Sequence, residues 1–448
     1  MISTKLTFLE QPSANGNELV RSSFEISVEN SEVRNPTHFV LLLDTSGSME
    51  ENNKLGNVKK CVKLLLTILN AEDKISVITF EDESEIILKR VPADENHKGL
   101  IEAKVNAIQP EGSTNLSASL ANLKEVIKDE SMKTGVILLT DGHANRGIHD
   151  TPSLLQMFKK LREDNPILSI ACLAYGTDHN ADLLKNISLE SSGSYSIVSN
   201  LEDAATVIGD VFGSLISCCA QNVKVELPKG STIEGPFTLK DSSYSETLSI
   251  GDIYSGSNTL YIVNLPAAAI RERKPLLTLI GTSMPSLDQL IIHCDTGVTN
   301  LERNKDVELT LLRYRCASLL KQLADWERLT SIERANLQES VRFFDDKLEE
   351  SFFAGHSLTE MLKAEVKTMK NSIKMLLERR VHAGALRTHI LQHESVLTSG
   401  RGYTQVVEES EDPSTYEIRS AAPVDLASPY RNRTQRRVAA AMRTMSTH

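Results

Sequence analysis

Five apolar residues, Phe39 to Leu43, run without a break and stop at Asp44. The run is too short for an ordinary helix and reads as a strand buried on both faces, the kind a parallel sheet requires. After a small polar loop, Val58, Cys61, Val62, Leu65, Leu66 and Leu69 recur at helical spacing. The same switching of period continues downstream. It predicts strands over 38–44, 74–80, 84–90, 135–141, 167–175 and 194–198, and helices over 55–70, 97–108, 115–129, 151–164, 180–190 and 201–217. Such alternation implies an α/β unit over 36–217 with a doubly wound, mostly parallel sheet and one antiparallel edge strand near 84–90.

The flanking segments follow other patterns. Residues 1–35 hold two short alternating stretches, KLTFLEQ and VRSSFEISVEN, which read as half-buried strands that must pair with something later in the chain. Over 218–302, stretches such as NVKVELP, YSETLSIG and NTLYIVNLP are separated by Gly, Pro and Ser turns and have no helical period. They predict a β-sandwich, completed by the N-terminal strands so that the α/β unit is inserted in it. Residues 303–398 carry three apolar stripes at helical spacing. The first runs Leu309, Leu312, Cys316, Leu319, Leu320 and Leu323, the second Leu337, Val341, Phe344 and Leu348, and the third Leu358, Leu362, Val366, Met369, Ile373 and Leu376. They predict antiparallel helices that bury one another. Residues 399–448 lose periodicity and read as a flexible tail with an acidic linker and a basic end, the stretch VAAAM allowing a short docking helix instead.

Composition narrows the function. At 448 residues the chain holds two or three domains, and its formal net charge of −11 argues against broad nucleic-acid or acidic-membrane binding. No stretch approaches the length of a membrane span, and MISTKLTFLEQ has no apolar core of a signal peptide. The cysteines, Cys61, Cys172, Cys218, Cys219, Cys294 and Cys316, form no C-x-x-C pair and read as buried thiols rather than a disulfide framework or zinc site. Of the N-x-S/T sequons at Asn115, Asn186 and Asn432, the first lies beside the polar loop considered next. A cytoplasmic protein is the expectation.

Candidate chemistry gathers where the first strand ends. Asp44, Ser46 and Ser48 offer a carboxylate and two hydroxyls at alternate positions of a tight loop, hard oxygen ligands that suit magnesium or manganese better than zinc. Gly112-Ser113-Thr114-Asn115-Leu116 is a turn that opens a helix and presents Thr114. GVILLTD, Gly135 to Asp141, is a second buried strand ending in a carboxylate. In this combination the region over about 36–217 resembles a von Willebrand factor type A domain with a metal-ion-dependent adhesion site, D-x-S-x-S followed by a Thr and a later Asp. The resemblance implies Asp44, Ser46, Ser48, Thr114 and Asp141 as the groups around a divalent cation, Mg2+ or Mn2+. It also implies that one coordination position stays open for an Asp or Glu of a protein partner.

The reading is therefore a non-catalytic, metal-dependent interaction module or adaptor, with His143 and Arg146 on the rim of the site. A metal-dependent hydrolase is the rival, since magnesium can activate water, but the motif segments supply no base apart from His143. Leu43-Asp44-Thr45-Ser46-Gly47 is only superficially like the D-T-G of aspartic proteases and has no second copy, and there is no G-x-x-x-x-G-K-[ST] phosphate loop. The order of domains also resembles the non-catalytic part of plant ubiquitin ligases, and inter-alpha-trypsin inhibitor heavy chains and bacterial surface proteins share the domain. A substrate-recruiting subunit of a ligase-like assembly is thus a second alternative, although the clustered Cys and His of a RING finger are lacking.

Overall fold

The computed structural model describes residues 1–11, 18–31, 34, 36–128, 132–176, 179–198, 201–272, 274–378, 383–399, 405–409, 416–420 and 433–446. Its organising element is a six-stranded sheet built from β3 (Thr37–Asp44), β4 (Lys74–Phe80), β5 (Ser84–Pro92), β6 (Lys133–Thr140), β7 (Leu168–Tyr175) and β8 (Tyr195–Val198). They lie in the order β5-β4-β3-β6-β7-β8, all parallel except β5, which runs antiparallel to β4 at the edge. Every residue of β3, β6 and β7 is buried. The unbroken run in β3 serves two cores at once because successive side chains point to opposite faces. Val40 and Leu42 pack with α3 (Leu116–Ile127), α4 (Thr151–Asp164) and α5 (Ala181–Glu190). Phe39, Leu41 and Leu43 pack with α1 (Lys54–Ile68), α2 (Glu95–Ala107) and α6 (Leu201–Ile216).

Strand order reverses between β3 and its neighbour β6. The chain leaves β3 toward β4 on one side, whereas β6 continues toward β7 on the other. A crevice opens at the carboxyl ends of strands at such a switch point, where ligands sit in open α/β sheets.

Outside the α/β unit, two five-stranded sheets share one apolar core. One contains β1 (Ile2–Phe8) and β2 (Leu19–Val28) with β10 (Thr232–Ile233), β13 (Asn258–Pro266) and β16 (Val298–Thr299). The other contains β9 (Cys218–Pro228), β11 (Leu239–Asp241), β12 (Ser245–Tyr254), β14 (Leu277–Ser283) and β15 (Gln289–Cys294). The N-terminal strands thus pair with strands that follow the α/β unit, β2 on β13 and β1 on β16. A region read as free of helix also holds α7 (Ala267–Glu272), a single AAAIRE turn that continues from β13.

The C-terminal part is helical: α8 (Lys305–Ala324), α9 (Ser331–Leu348), α10 (Ser357–Leu377) and α11 (Ala383–Ser399). The three stripes are buried except Leu312 and Leu376, which are half-buried. This layer is continuous with the α3–α5 face of the sheet, because α11 packs on α8, α5 and β8. The expectation of a flexible tail is corrected for its described parts. Residues 405–409 and 416–420 pair as a hairpin, β17 (Gln405–Glu409) with β18 (Tyr416–Ser420). Residues 433–446 form α12 (Arg433–Ser446), which lies along α6. Its apolar stripe, Val438, Ala439 and Met442, is buried, and the periodicity is masked in sequence by the arginines on its other faces. The remainder of the expected tail lies outside the described residues.

Candidate metal centre

The crevice at the switch point is lined by the loops that follow β3 and β6. Asp44 is the last residue of β3 and is fully buried. In the parallel register Leu43 stands opposite Leu139, which brings Thr140 beside Asp44. The Thr140 hydroxyl donates to Asp44 Oδ2 at 2.6 Å, and the Ser46 backbone N–H donates to Asp44 Oδ1 at 2.9 Å. Burial pushes the Asp44 carboxyl up, the hydrogen bonds from Thr140 and Ser46 hold it down, and the nearby Asp141 charge adds to the rise.

The loop after Asp44 is a tight helical turn, Gly47–Asn53, whose Met49 is buried in the core beneath it. Anchoring Met49 inward leaves the two serine hydroxyls together, Ser46 Oγ 3.1 Å from Ser48 Oγ. Ser48 Oγ also donates to Asp141 Oδ1 at 2.8 Å, so the two loops are joined side chain to side chain. Asp44, Ser46, Ser48 and Asp141 are therefore brought into one constellation of hard oxygens. Ligands at right angles on a magnesium-sized cation stand about 3 Å apart, so the spacing of these oxygens suits such an ion. Among the described residues no cluster of three or more His, Cys, Asp or Glu offers another metal centre.

Thr114 sits on a third loop, beside these two. Its loop is tied to the serine loop by Gly47 N–H to the Gly112 carbonyl, 3.2 Å, and by Glu111 N–H to the Thr45 carbonyl, 2.8 Å. Gly112 has φ +74°, and a Cβ there would press on the Glu81 carboxylate, so glycine is required at this turn. Thr114 is buried and held by Asn145, whose side-chain oxygen accepts from Thr114 N–H at 2.9 Å while its own N–H donates to the Thr114 carbonyl at 3.0 Å. The rim residues His143 and Arg146 are exposed, and Arg146 pairs with Asp82 at 3.1 Å.

Two contributors escaped the sequence reading. Thr140 precedes Asp141 and reads as one more strand residue; only the β3–β6 register shows that it faces Asp44. Lys54 is the first residue of α1, and its ammonium lies 2.5 Å from Asp141 Oδ2 and 3.3 Å from the Ser48 carbonyl. A cue exists in the pair Asn52-Asn53, residues tolerant of left-handed backbone, which both take positive φ and turn Lys54 back toward the strand ends.

A sequence profile described as the von Willebrand factor type A domain matches residues 39–143, a span from β3 to the loop after β6. The chain carries a von Willebrand factor type A domain. Its relatives extend the comparison. The chain is 30% identical over 194 residues to the uncharacterized protein YfbK of Escherichia coli (strain K12), an alignment covering 43% of this chain and 33% of that one. It is 23% identical over 208 residues to inter-alpha-trypsin inhibitor heavy chain H2 of Sus scrofa, covering 44% and 22%. The chain thus spans about a third or less of these two curated relatives. Among solved structures, the von Willebrand factor type A protein from Catenulispora acidiphila superposes with TM-score 0.58 at 14% identity, over 96% of this chain and 97% of that chain. The ArnB paralog VWA2 from Sulfolobus acidocaldarius gives TM-score 0.55 at 14% identity over 90% and 99%. At that identity the likeness is one of fold, and it takes in the flanking sheets and helices as well as the domain. No helix among the described residues is long and apolar enough to cross a membrane.

Proposed function

We propose that the domain holds a divalent cation, Mg2+ or Mn2+, on Asp44, Ser46, Ser48, Thr114 and Asp141, and through it binds an Asp or Glu side chain of a protein partner. Domains of this family typically mediate protein–protein interaction. The observation that carries the reading is the meeting of Ser46, Ser48 and Asp141 oxygens at the switch point, 3.1 and 2.8 Å apart, with buried Asp44 beneath them. The two carboxylates formally balance the double positive charge, and a coordination position left open on such an ion is filled by a further hard oxygen, which a partner's carboxylate supplies. Helices α1 and α3 begin at the same edge of the sheet, and their N-terminal dipoles favour the same incoming charge. Both Asp44 oxygens accept hydrogen bonds and the Lys54 ammonium is paired with Asp141, which suits a binding module rather than an enzyme needing a general base. None of the six cysteines is joined in a disulfide and five of them are buried, in keeping with a cytoplasmic adaptor.

The test is thermal unfolding and affinity capture with the wild type and Asp44→Ala. Mg2+ or Mn2+ raises the stability of the wild type by about 2.7 kcal/mol at a hundredfold excess over its dissociation constant. EDTA abolishes both this shift and partner capture, and Asp44→Ala shows neither while retaining the fold. An equal shift in wild type and variant refutes the site.

A further inference from the structure

We infer that Lys54 is a built-in cation that weakens the metal site on its own and makes its filling depend on the partner's carboxylate; the inference rests on the metal-binding reading above. The Asp141 carboxylate is divided between two clients. Its Oδ1 takes the Ser48 hydroxyl at 2.8 Å, on the side of the serine pair, and its Oδ2 takes the Lys54 ammonium at 2.5 Å. The Lys54 side chain is 17% exposed and that of Asp141 fully buried, so this pair is shielded from the screening that makes surface ion pairs weak. Lys54 stands against two local preferences: it opens α1, where the dipole disfavours a cation, and it is delivered by two consecutive left-handed residues, Asn52 with φ 51° and Asn53 with φ 56°. The Asp141 carboxylate is the interaction that holds it there, with Glu51 adding a more distant charge at 3.9 Å.

Because the ammonium binds Oδ2 and leaves Oδ1 toward the serines, Lys54 can stay in place when the site is filled. The formal charges of Asp44, Asp141 and Lys54 then sum to −1, and a divalent cation brings the centre to +1. Its retention is opposed by the ammonium and restored by one further carboxylate, which brings the sum to zero. Cation and acidic partner are coupled in this way, each raising the affinity of the other. Removing the lysine charge should weaken this coupling and leave a site that holds its cation with less help from a carboxylate.

Mn2+ binding measured by titration calorimetry on the full chain tests this, with unfolding melts as the check on fold. Lys54→Met removes the charge at similar length, Lys54→Gln keeps a donor for Asp141, and Lys54→Arg keeps the charge. Met and Gln variants bind Mn2+ tenfold or more tightly than wild type, while Arg stays within a few-fold of it. Acetate at millimolar concentration tightens Mn2+ binding to the wild type more than to the Gln variant. Wild-type or weaker affinity in a folded Met or Gln variant overturns the inference and leaves the metal reading standing. Failure of wild type and both neutral variants to bind Mn2+ overturns the metal reading as well.

Discussion

Each residue at the centre is held by a neighbour whose role depends on tertiary placement. Asp44 could be picked out because a carboxylate ends an apolar run, and Ser46, Ser48 and Asp141 because their types and spacing repeat a known pattern. Thr140 could not, since its hydroxyl matters only through the register that sets it 2.6 Å from Asp44. Lys54 could not, because nothing in a run of polar residues says which one turns back. Thr140→Val is a close steric match that removes the donor and leaves a buried carboxylate oxygen short of a partner. Losing such a hydrogen bond costs about 1–3 kcal/mol, and losing a group that orients a metal ligand lowers affinity about tenfold or more. Urea unfolding in EDTA isolates the first effect, and Mn2+ titration reads the second. An unchanged Mn2+ affinity would show that Thr140 supports the fold alone.

At the scale of elements, what was legible followed periodicity. The strands and helices of the α/β unit emerged within a few residues of their observed ends because buried parallel strands and amphipathic helices carry strong, different periods. At the end of the chain the docking helix that VAAAM allowed, and not the flexible tail that was favoured, is what forms; its signal was weak because α12 buries only a narrow stripe and its surface is rich in arginine. Its docking site is equally inconspicuous: Gly209 and Gly213, one turn apart on α6, give no apolar signal but let the two helices approach. A Cβ at Gly209 would lie 2.8 Å from the Ala439 Cα, and one at Gly213 would lie 2.6 Å from the Gln435 Cα. Side chains at these points must displace backbone, so Gly209→Leu should lift α12 from α6. Limited trypsin digestion checks this through cleavage after Arg436 and Arg437, which accelerates about tenfold or more as local opening becomes easier. The α/β unit itself keeps its circular dichroism spectrum. Unaltered cleavage would mean that α12 is held elsewhere.

The whole molecule is joined through polar groups buried at its seams. Lys133, at the start of β6, lies 3.9 Å from Asp252 of β12 with both side chains fully buried, and Ser169 and Gln221 complete the Asp252 shell. A second seam lies where α11 meets α5 and β8. There His393 pairs with Glu365 at 2.6 Å, His179 bonds the Tyr195 hydroxyl at 2.6 Å, and Lys185 pairs with Glu394. Between these groups His389 is fully buried, and neither of its ring nitrogens has a hydrogen-bond partner among the described residues. Burial, reinforced by His393 and His179, pushes its imidazole down to about 3. Unfolded histidine takes up a proton near pH 6.5, so between that pH and about 3 the unfolded chain binds a proton that the folded chain refuses. Stability therefore falls as pH drops through this window, at about 1.4 kcal/mol per unit, or about 2 kcal/mol at pH 5. His389→Leu keeps the apolar volume and removes the proton uptake. The stability lost between pH 7 and pH 5, read from urea unfolding, should shrink by about that amount. At pH 7 the variant should be no less stable than the wild type, because it buries no unpartnered nitrogen. A variant as acid-sensitive as the wild type would show that the pH dependence originates outside His389.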